Sequence, residues 1–196
     1  MLWDGGRLAI TFNGEIYNFR TIRRELEALG CRFESATDTE VILAAYDRWG
    51  LDAIHHLSGM FAFALWDEAR GRLWLARDRD GKKPLYYSDH DGVLRFGSEL
   101  KALLVPSSTG QPAERRTVDM DAVRLFLAYG YVPAPLTIFT GIRKLAPGHM
   151  LVSTAQGTTV SRYWDPVPFA QSPRPWTDDD AEAELERRLS TAVAER

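Results

Sequence analysis

Residues 60–66, Met-Phe-Ala-Phe-Ala-Leu-Trp, constrain this chain more than any other segment. Seven apolar residues run without a polar interruption, the pattern of a strand buried within a sheet rather than one half exposed to water. Residues 67–71 supply a turn and residues 72–76 a returning strand, so the pair reads as a hairpin. The run is far too short to cross a bilayer. Around it, 45% apolar and 26% charged residues describe a globular chain; they exclude disorder, collagen and a simple coiled coil. The 196 residues suffice for one domain, or for one domain and part of a second. Lys and Arg total 24 against 27 Asp and Glu, so the net charge is −3. Such a balance gives no global electrostatic reason to seek nucleic acid or an anionic membrane.

The segments before the hairpin read as strand, helix and helix. Residues 7–12 alternate as a strand and reach Asn13-Gly14, a strong turn signal because both residues tolerate positive φ. Residues 18–30 read as a helix with Asn18 at its N-cap, Ile22, Leu26 and Leu29 on one face, and Gly30 as its stop. Residues 31–34 read as a short strand. Thr37 with Glu40 has the spacing of a capping box. It opens a helix over Asp38–Trp49, with Val41, Ile42, Ala45 and Trp49 on a stripe, that stops at Gly50. Residues 51–57 form another short helix.

Beyond the hairpin, residues 77–84 read as a charged connection, and residues 85–87 and Val93–Gly97 as a second hairpin through His90-Asp-Gly92. A short helix follows at 99–104, and residues 106–116 are a polar loop. Asp119 caps a helix that runs to Tyr129. Strands are expected at 138–145, 150–153 and 158–164, with Pro147-Gly148 as a turn. Four prolines in residues 165–176 mark a linker. Thr177 then caps a last helix, whose Asp178, Asp179 and Asp180 favour its positive N-terminal end. Its apolar line, Leu185, Leu189 and Val193, needs a partner surface.

Few residues suggest chemistry from local pattern alone. A strand feeding Asn13-Gly14 can aim a side-chain amide and a backbone N–H at one point, the geometry of an oxyanion hole; the same pair also serves as a plain turn. Glu15 beside it could hold a substrate ammonium. Asp38 could bind a cation, or simply favour the first turn of its helix. Cys31, the one cysteine, excludes an intramolecular disulfide and a Cys-rich zinc site, and fits a reducing, intracellular compartment. It has no adjacent His to act as base, so it reads as structural. His55 and His56 diverge on a helix and cannot share a metal, and no metal site is expected. Arg77, Arg79, Lys82 and Lys83 lack phosphate-loop spacing and read as a solvated connection or a domain contact. Residues 1–7 lack the features of a signal peptide.

The motifs are more telling as a set. Phe12-Asn-Gly-Glu-Ile-Tyr-Asn18, Thr37-Asp-Thr-Glu40, Gly59-Met-Phe-Ala-Phe-Ala-Leu-Trp-Asp67, Ala76-Arg-Asp-Arg79, Gly81-Lys-Lys-Pro-Leu-Tyr-Tyr87 and Ser98-Glu-Leu-Lys101 come in that order. Gly130-Tyr-Val-Pro-Ala-Pro135, Thr137-Ile-Phe139, Gly141-Ile-Arg-Lys-Leu145 and Pro147-Gly-His149 follow. This series resembles the glutamine-hydrolysing asparagine synthetases, over residues 8–196. The Asn-Gly-Glu segment alone is shared with class II glutamine amidotransferases at large.

The resemblance implies an α+β fold of the N-terminal-nucleophile hydrolase type, an αββα sandwich of two antiparallel sheets between helical layers, incomplete at its N-terminus. It implies a partial glutaminase domain over residues 1–164, a linker over 165–176, and the first helix of an ATP-dependent synthetase domain over 177–196. Glutamine is the expected substrate. Asn13 and the Gly14 N–H would form the oxyanion hole; Glu15 and Asp38 would bind the α-amino end of glutamine. In the family an N-terminal cysteine attacks the amide, and the released ammonia amidates an aspartyl-adenylate made with ATP and Mg²⁺. No cofactor is expected within this fragment. Aspartate and ATP belong to the longer enzyme, for which a homodimer stays open; neither nucleic acid nor membrane is an expected partner, and the location is cytoplasmic. Cys31 matches a position that is not the nucleophile, and the arginine that holds the glutamine carboxylate and the Ser-Gly-Gly-x-Asp-Ser pyrophosphate loop are not in the sequence. The chain alone is therefore expected to be inactive. A related amidotransferase acting on another acid (β-lactam closure or natural-product amidation), a non-catalytic glutamine- or partner-binding module, and half of a split enzyme remain as alternatives.

Overall fold

The computed structural model describes residues 1–90, 92–106, 116–168 and 176–194. Its centre is the strand anticipated at 60–66, which extends over Gly59–Asp67 as β3. It follows β1 (Leu2–Trp3), β2 (Leu8–Ile16), α1 (Phe19–Ala28), α2 (Asp38–Trp49) and α3 (Ala53–His56). After it come β4 (Arg72–Arg77), β5 (Tyr86–His90), β6 (Val93–Gly97), α4 (Leu100–Leu103), α5 (Met120–Tyr129), β7 (Arg143–Lys144), β8 (His149–Thr154) and β9 (Gly157–Arg162). The last helix, labelled α6, spans Asp178–Ala194. Two antiparallel sheets result: a six-stranded one in the order β1-β2-β3-β4-β8-β9, and a three-stranded one in the order β6-β5-β7.

Alternation along β3 explains the layering. Phe61, Phe63 and Leu65 face a core shared with Leu8, Ile10, Ile16 and Trp74 and with the buried residues of α1, α2 and α3. Ala62 and Ala64 face the other way, into a core with Leu75 and Leu151 of the large sheet and Leu85, Tyr87 and Leu145 at the small one. Bulky residues meet helices, and alanines let the second sheet approach. Six consecutive residues of α2, Val41 to Tyr46, are buried. The helix is covered on more sides than the anticipated stripe requires, because α1 lies against it as well as the sheet.

Several anticipated caps form, whereas Asn18 makes no side-chain cap bond and the Glu40 carboxylate goes to Glu34 and Ser35 instead of completing the capping box. The Glu40 N–H donates to Thr37 Oγ1, and the Asp121 and Ala122 N–H groups donate to the Asp119 carboxylate. The Gly30 N–H donates to the Glu27 carbonyl and the Cys31 N–H to the Leu26 carbonyl, the paired bonds of a Schellman stop.

Several local expectations change. Asn13-Gly14 is not a turn: both residues lie inside β2, opposite Ala62 and Phe61. Residues 31–34 form no strand, because the Glu40 carboxylate reaches back and accepts from the Glu34 and Ser35 N–H groups at 2.7 Å each. The strand expected over 138–145 shrinks to Arg143–Lys144. Gly141 takes φ +83°, and the Thr137 hydroxyl lies 2.9 Å from both the Phe139 and Ile142 carbonyls, which folds the segment into turns. Leu29 is exposed rather than part of the apolar face of α1. Residues 107–115 of the polar loop and 169–175 of the linker lie outside the described residues.

The charged connection also departs from its solvated reading. Asp78 is buried, and its carboxylate accepts four backbone N–H groups, from Phe61 (3.1 Å), Asp80 (3.1 Å), Lys82 (2.9 Å) and Lys83 (3.0 Å). Arg77 donates to the carbonyls of Lys83, Leu145 and Gly81 at 2.6–2.7 Å. Burial pushes the Arg77 guanidinium down from its ordinary pKa, and the neighbouring Asp78 charge opposes that shift. The Tyr163 hydroxyl donates to the Arg77 carbonyl, pinning the end of β9 to β4.

Two predictions follow from these bonds. Asp78→Ala orphans several buried donors and should cost about 3 kcal/mol or more of stability, read by chemical denaturation. The carboxyl groups of Glu40 and Asp67 titrate below their ordinary values. Burial opposes that shift in both, and it is outweighed by hydrogen bonds from Ser35 and Glu34 to Glu40, and from Arg70 and Tyr46 to Asp67. Their contribution to stability is complete above the ordinary carboxylate range and is lost as pH falls through the lowered values. Unfolding midpoints should therefore drop steeply on acidification, and Glu40→Gln should flatten that drop while lowering stability at neutral pH.

Candidate functional site

The hydrogen-bond parity of β2 fixes what Gly14 can offer. Tyr17 N–H donates to the Ser58 carbonyl, and Glu68 N–H donates to the Arg7 carbonyl. Residues of odd number along β2 therefore exchange bonds with β3, and Gly14, opposite Phe61, belongs to a non-bonded pair. The same conclusion comes from β3: the Phe61 N–H and carbonyl both go to Asp78. The Gly14 N–H consequently points away from β3, toward the other edge of β2. Among the described residues β1 covers that edge only at Leu8 and Ala9, with Met1 reaching Ile10.

Glycine is required at this position. Its φ is +154°, and a Cβ would fall 2.2 Å from the Met60 carbonyl oxygen and 2.7 Å from the Phe61 Cα. The Asn13 side chain stands on the face toward the small sheet, where its Nδ2 donates to Ser98 Oγ at 3.2 Å. Here a cleft of ≈ 170 Å³ opens between the sheets, lined by Thr11, Asn13 and Ser98 at its polar rim and by Ala62, Leu85 and Phe96 within.

The two carboxylates meet the far end of the same strand. Glu15, on the Asn13 face, is exposed. Asp38, at the first residue of α2, accepts the Ile16 N–H through Oδ2 at 3.0 Å. Asn18 holds this end in place, though not as the cap its position suggested. Its Nδ2 donates to the His56 carbonyl at 2.9 Å and its Oδ1 accepts the Ser58 N–H at 3.0 Å. The amide clips the exit of β2 to the entry of β3.

Asn13, Gly14, Glu15 and Asp38 are thus gathered around the last four residues of β2. Local pattern did not find Ser98, which appears in the sequence only within the Ser98-Glu-Leu-Lys101 motif. Cys31 is half-buried against the helix-side core, on the opposite side of the large sheet from the cleft. A larger depression of ≈ 540 Å³ lies beside Trp3, Arg32 and Asp47. Its Asp4 and Asp47 are engaged by Arg7, and its Glu40 by the backbone, so they carry no free acid chemistry.

The glutamine amidotransferase domain family matches residues 1–164. The chain belongs to that family. It is 40% identical over 164 residues to asparagine synthetase [glutamine-hydrolyzing] 3 of Bacillus subtilis, covering 83% of this chain and 26% of that protein. It is 38% identical over 193 residues to a putative asparagine synthetase [glutamine-hydrolyzing] of Mycobacterium bovis, covering 96% of this chain and 28% of the relative. The chain therefore spans little more than a quarter of the length of these relatives. Among solved structures it resembles the glutamine phosphoribosylpyrophosphate amidotransferase of B. subtilis, with a TM-score of 0.54 and 21% identity over 84% of this chain and 31% of that one. The likeness extends the N-terminal-nucleophile amidotransferase fold to the present sheets. Among the described residues no helix is long and apolar enough to cross a membrane.

Gly14→Ala should separate β2 from β3 at this point and lower stability by about 2–4 kcal/mol, a loss measurable as a shifted denaturation midpoint. A midpoint equal to that of the unaltered chain would contradict the close approach described.

Proposed function

We propose that residues 1–164 are the glutamine-binding domain of an asparagine synthetase. The gathering of Asn13, Gly14, Glu15 and Asp38 at one end of β2 carries this reading. The side-chain carbonyl oxygen of glutamine takes the Gly14 N–H and an N–H of Asn13. These donors stay in place as negative charge grows on that oxygen, which is where preorganised hydrogen bonds lower a barrier most. Glu15 and Asp38 take the substrate ammonium. The Ile16 N–H engages Asp38 Oδ2 at 3.0 Å and the Thr39 hydroxyl Oδ1 at 3.4 Å, so the carboxylate is held in place beside the end of β2 and takes the ammonium as a further partner.

The attacking thiol is a separate matter. Cys31 stands across the sheet and cannot reach the bound amide. In this reading the 196-residue chain, in which no arginine is assigned to the glutamine carboxylate, binds glutamine weakly and does not hydrolyse it. Residues 165–176 link the glutaminase domain to the start of the synthetase domain, 177–196, of which α6 is the helix. The exposed Leu185, Leu189 and Val193 support that assignment, as an apolar line awaiting cover. The longer protein then uses ammonia, ATP and Mg²⁺ to amidate aspartate in the cytoplasm, and no residue of 1–164 is assigned to ATP or metal.

The test is a titration of the ¹⁵N-labelled chain with L-glutamine. Amide signals of residues 13–16 should move together in fast exchange, and no ammonia should appear. Glu15→Gln and Asp38→Asn should each weaken binding about tenfold, the worth of one charge-assisted contact. Unmoved signals at residues 13–16, or ammonia released by the chain, would overturn the reading.

A further inference from the structure

We infer that Ser98 is the residue that positions the Asn13 amide, and hence a determinant of carboxamide recognition; this rests on the glutamine-binding reading above. The Asn13 side chain is exposed at the cleft rim, and the terminal torsion of an asparagine is broad and roughly two-fold. Left alone, its amide would sweep many orientations, and a donor that must first be ordered contributes less to binding. Ser98 Oγ accepts one Nδ2–H at 3.2 Å. The amide plane is thereby set, and the second Nδ2–H remains for a ligand oxygen.

Ser98 can do this because its own position is fixed from the other sheet. It directly follows β6, whose Gly97 pairs with Tyr86 of β5. A Cβ on Gly97 would lie 3.2 Å from the Ala102 Cβ, so the chain turns tightly under α4, whose Leu103 is buried. The donor on β2 is therefore oriented by a hydroxyl anchored on the small sheet. Ser98 touches Asn13 rather than the substrate, and acts through it.

The experiment compares two ligands on the full chain. L-Glutamine carries the carboxamide; L-norvaline shares its α-amino and carboxylate groups and lacks the carboxamide. Ser98→Ala should weaken glutamine binding about fivefold to tenfold, the range of one neutral hydrogen bond, and leave norvaline binding unchanged. Ser98→Thr, which keeps the hydroxyl, should restore glutamine binding. Ser98→Ala added to Asn13→Ala should cost nothing further. An equal loss for both ligands would show a merely structural residue and overturn the proposal. So would unchanged glutamine binding in Ser98→Ala. Failure of the unaltered chain to bind glutamine would instead strike the glutamine reading itself. Thermal midpoints of the variants check that each is folded.

Discussion

The carboxylate of Asp78 and the guanidinium of Arg77 decide where the two sheets sit. Neighbours in sequence, they serve opposite needs. Asp78 collects N–H groups from the central strand and from residues 80–83, while Arg77 collects carbonyls from Gly81, Lys83 and Leu145. The loop between the sheets is thus tied at both ends to the large sheet. Leu85 and Leu145 flank the tied carbonyls, and both are buried in the core between the sheets. A buried charge is costly unless hydrogen bonds replace its water. Here seven backbone groups do so, counting four on Asp78 and three on Arg77. The cleft beside Asn13 depends on this spacing, since Leu85 lines it.

What the sequence reveals follows the range of the interaction involved. Thr37, Asp119 and Thr177 work as caps because a cap needs only its own next few residues. The α2 limits are legible for the same reason. Gly14 is different. Its need for glycine comes from Met60 and Phe61, more than forty positions away, whereas an Asn-Gly pair suggests a turn to any local reading. Arg77 and Asp78 look like a solvated charge run until β3 and Leu145 are brought to them. Leu29 satisfies the helical spacing, yet the core ends at Leu26.

The candidate site shows the same division. Local pattern left both Asn13-Gly14 and Asp38 open between scaffold and chemistry, and the family resemblance supplied the functional reading. At Asp38 the structure adds a scaffold role that the sequence did not suggest. One carboxylate oxygen holds the Ile16 N–H and the other the Thr39 hydroxyl, so the residue ties the end of β2 to the start of α2. Asn18 carries no part in the proposed chemistry, yet its two bonds to the residues before β3 hold the strand end on which Glu15 and Ile16 sit.

A pair of donors built on one strand meets a geometric difficulty. Side chains leave a strand perpendicular to the sheet, whereas backbone N–H groups lie in its plane. Asn13 and Gly14 can serve one oxygen only near a rim, where the face of the sheet meets its edge. The parity of β2 places the Gly14 N–H on the side away from β3, and the face toward Ser98 carries the Asn13 amide. A shift of register by one residue would turn that N–H inward and send the amide into the helix-side core. The register is held against this by Leu8, Ile10 and Ile16 of β2, which would all leave the helix-side core for the narrow inter-sheet side lined by Ala62 and Ala64. The apolar residues of β2, packed with Phe61, Phe63 and Leu65 of the central strand, are therefore also what the proposed pairing of the two donors depends on.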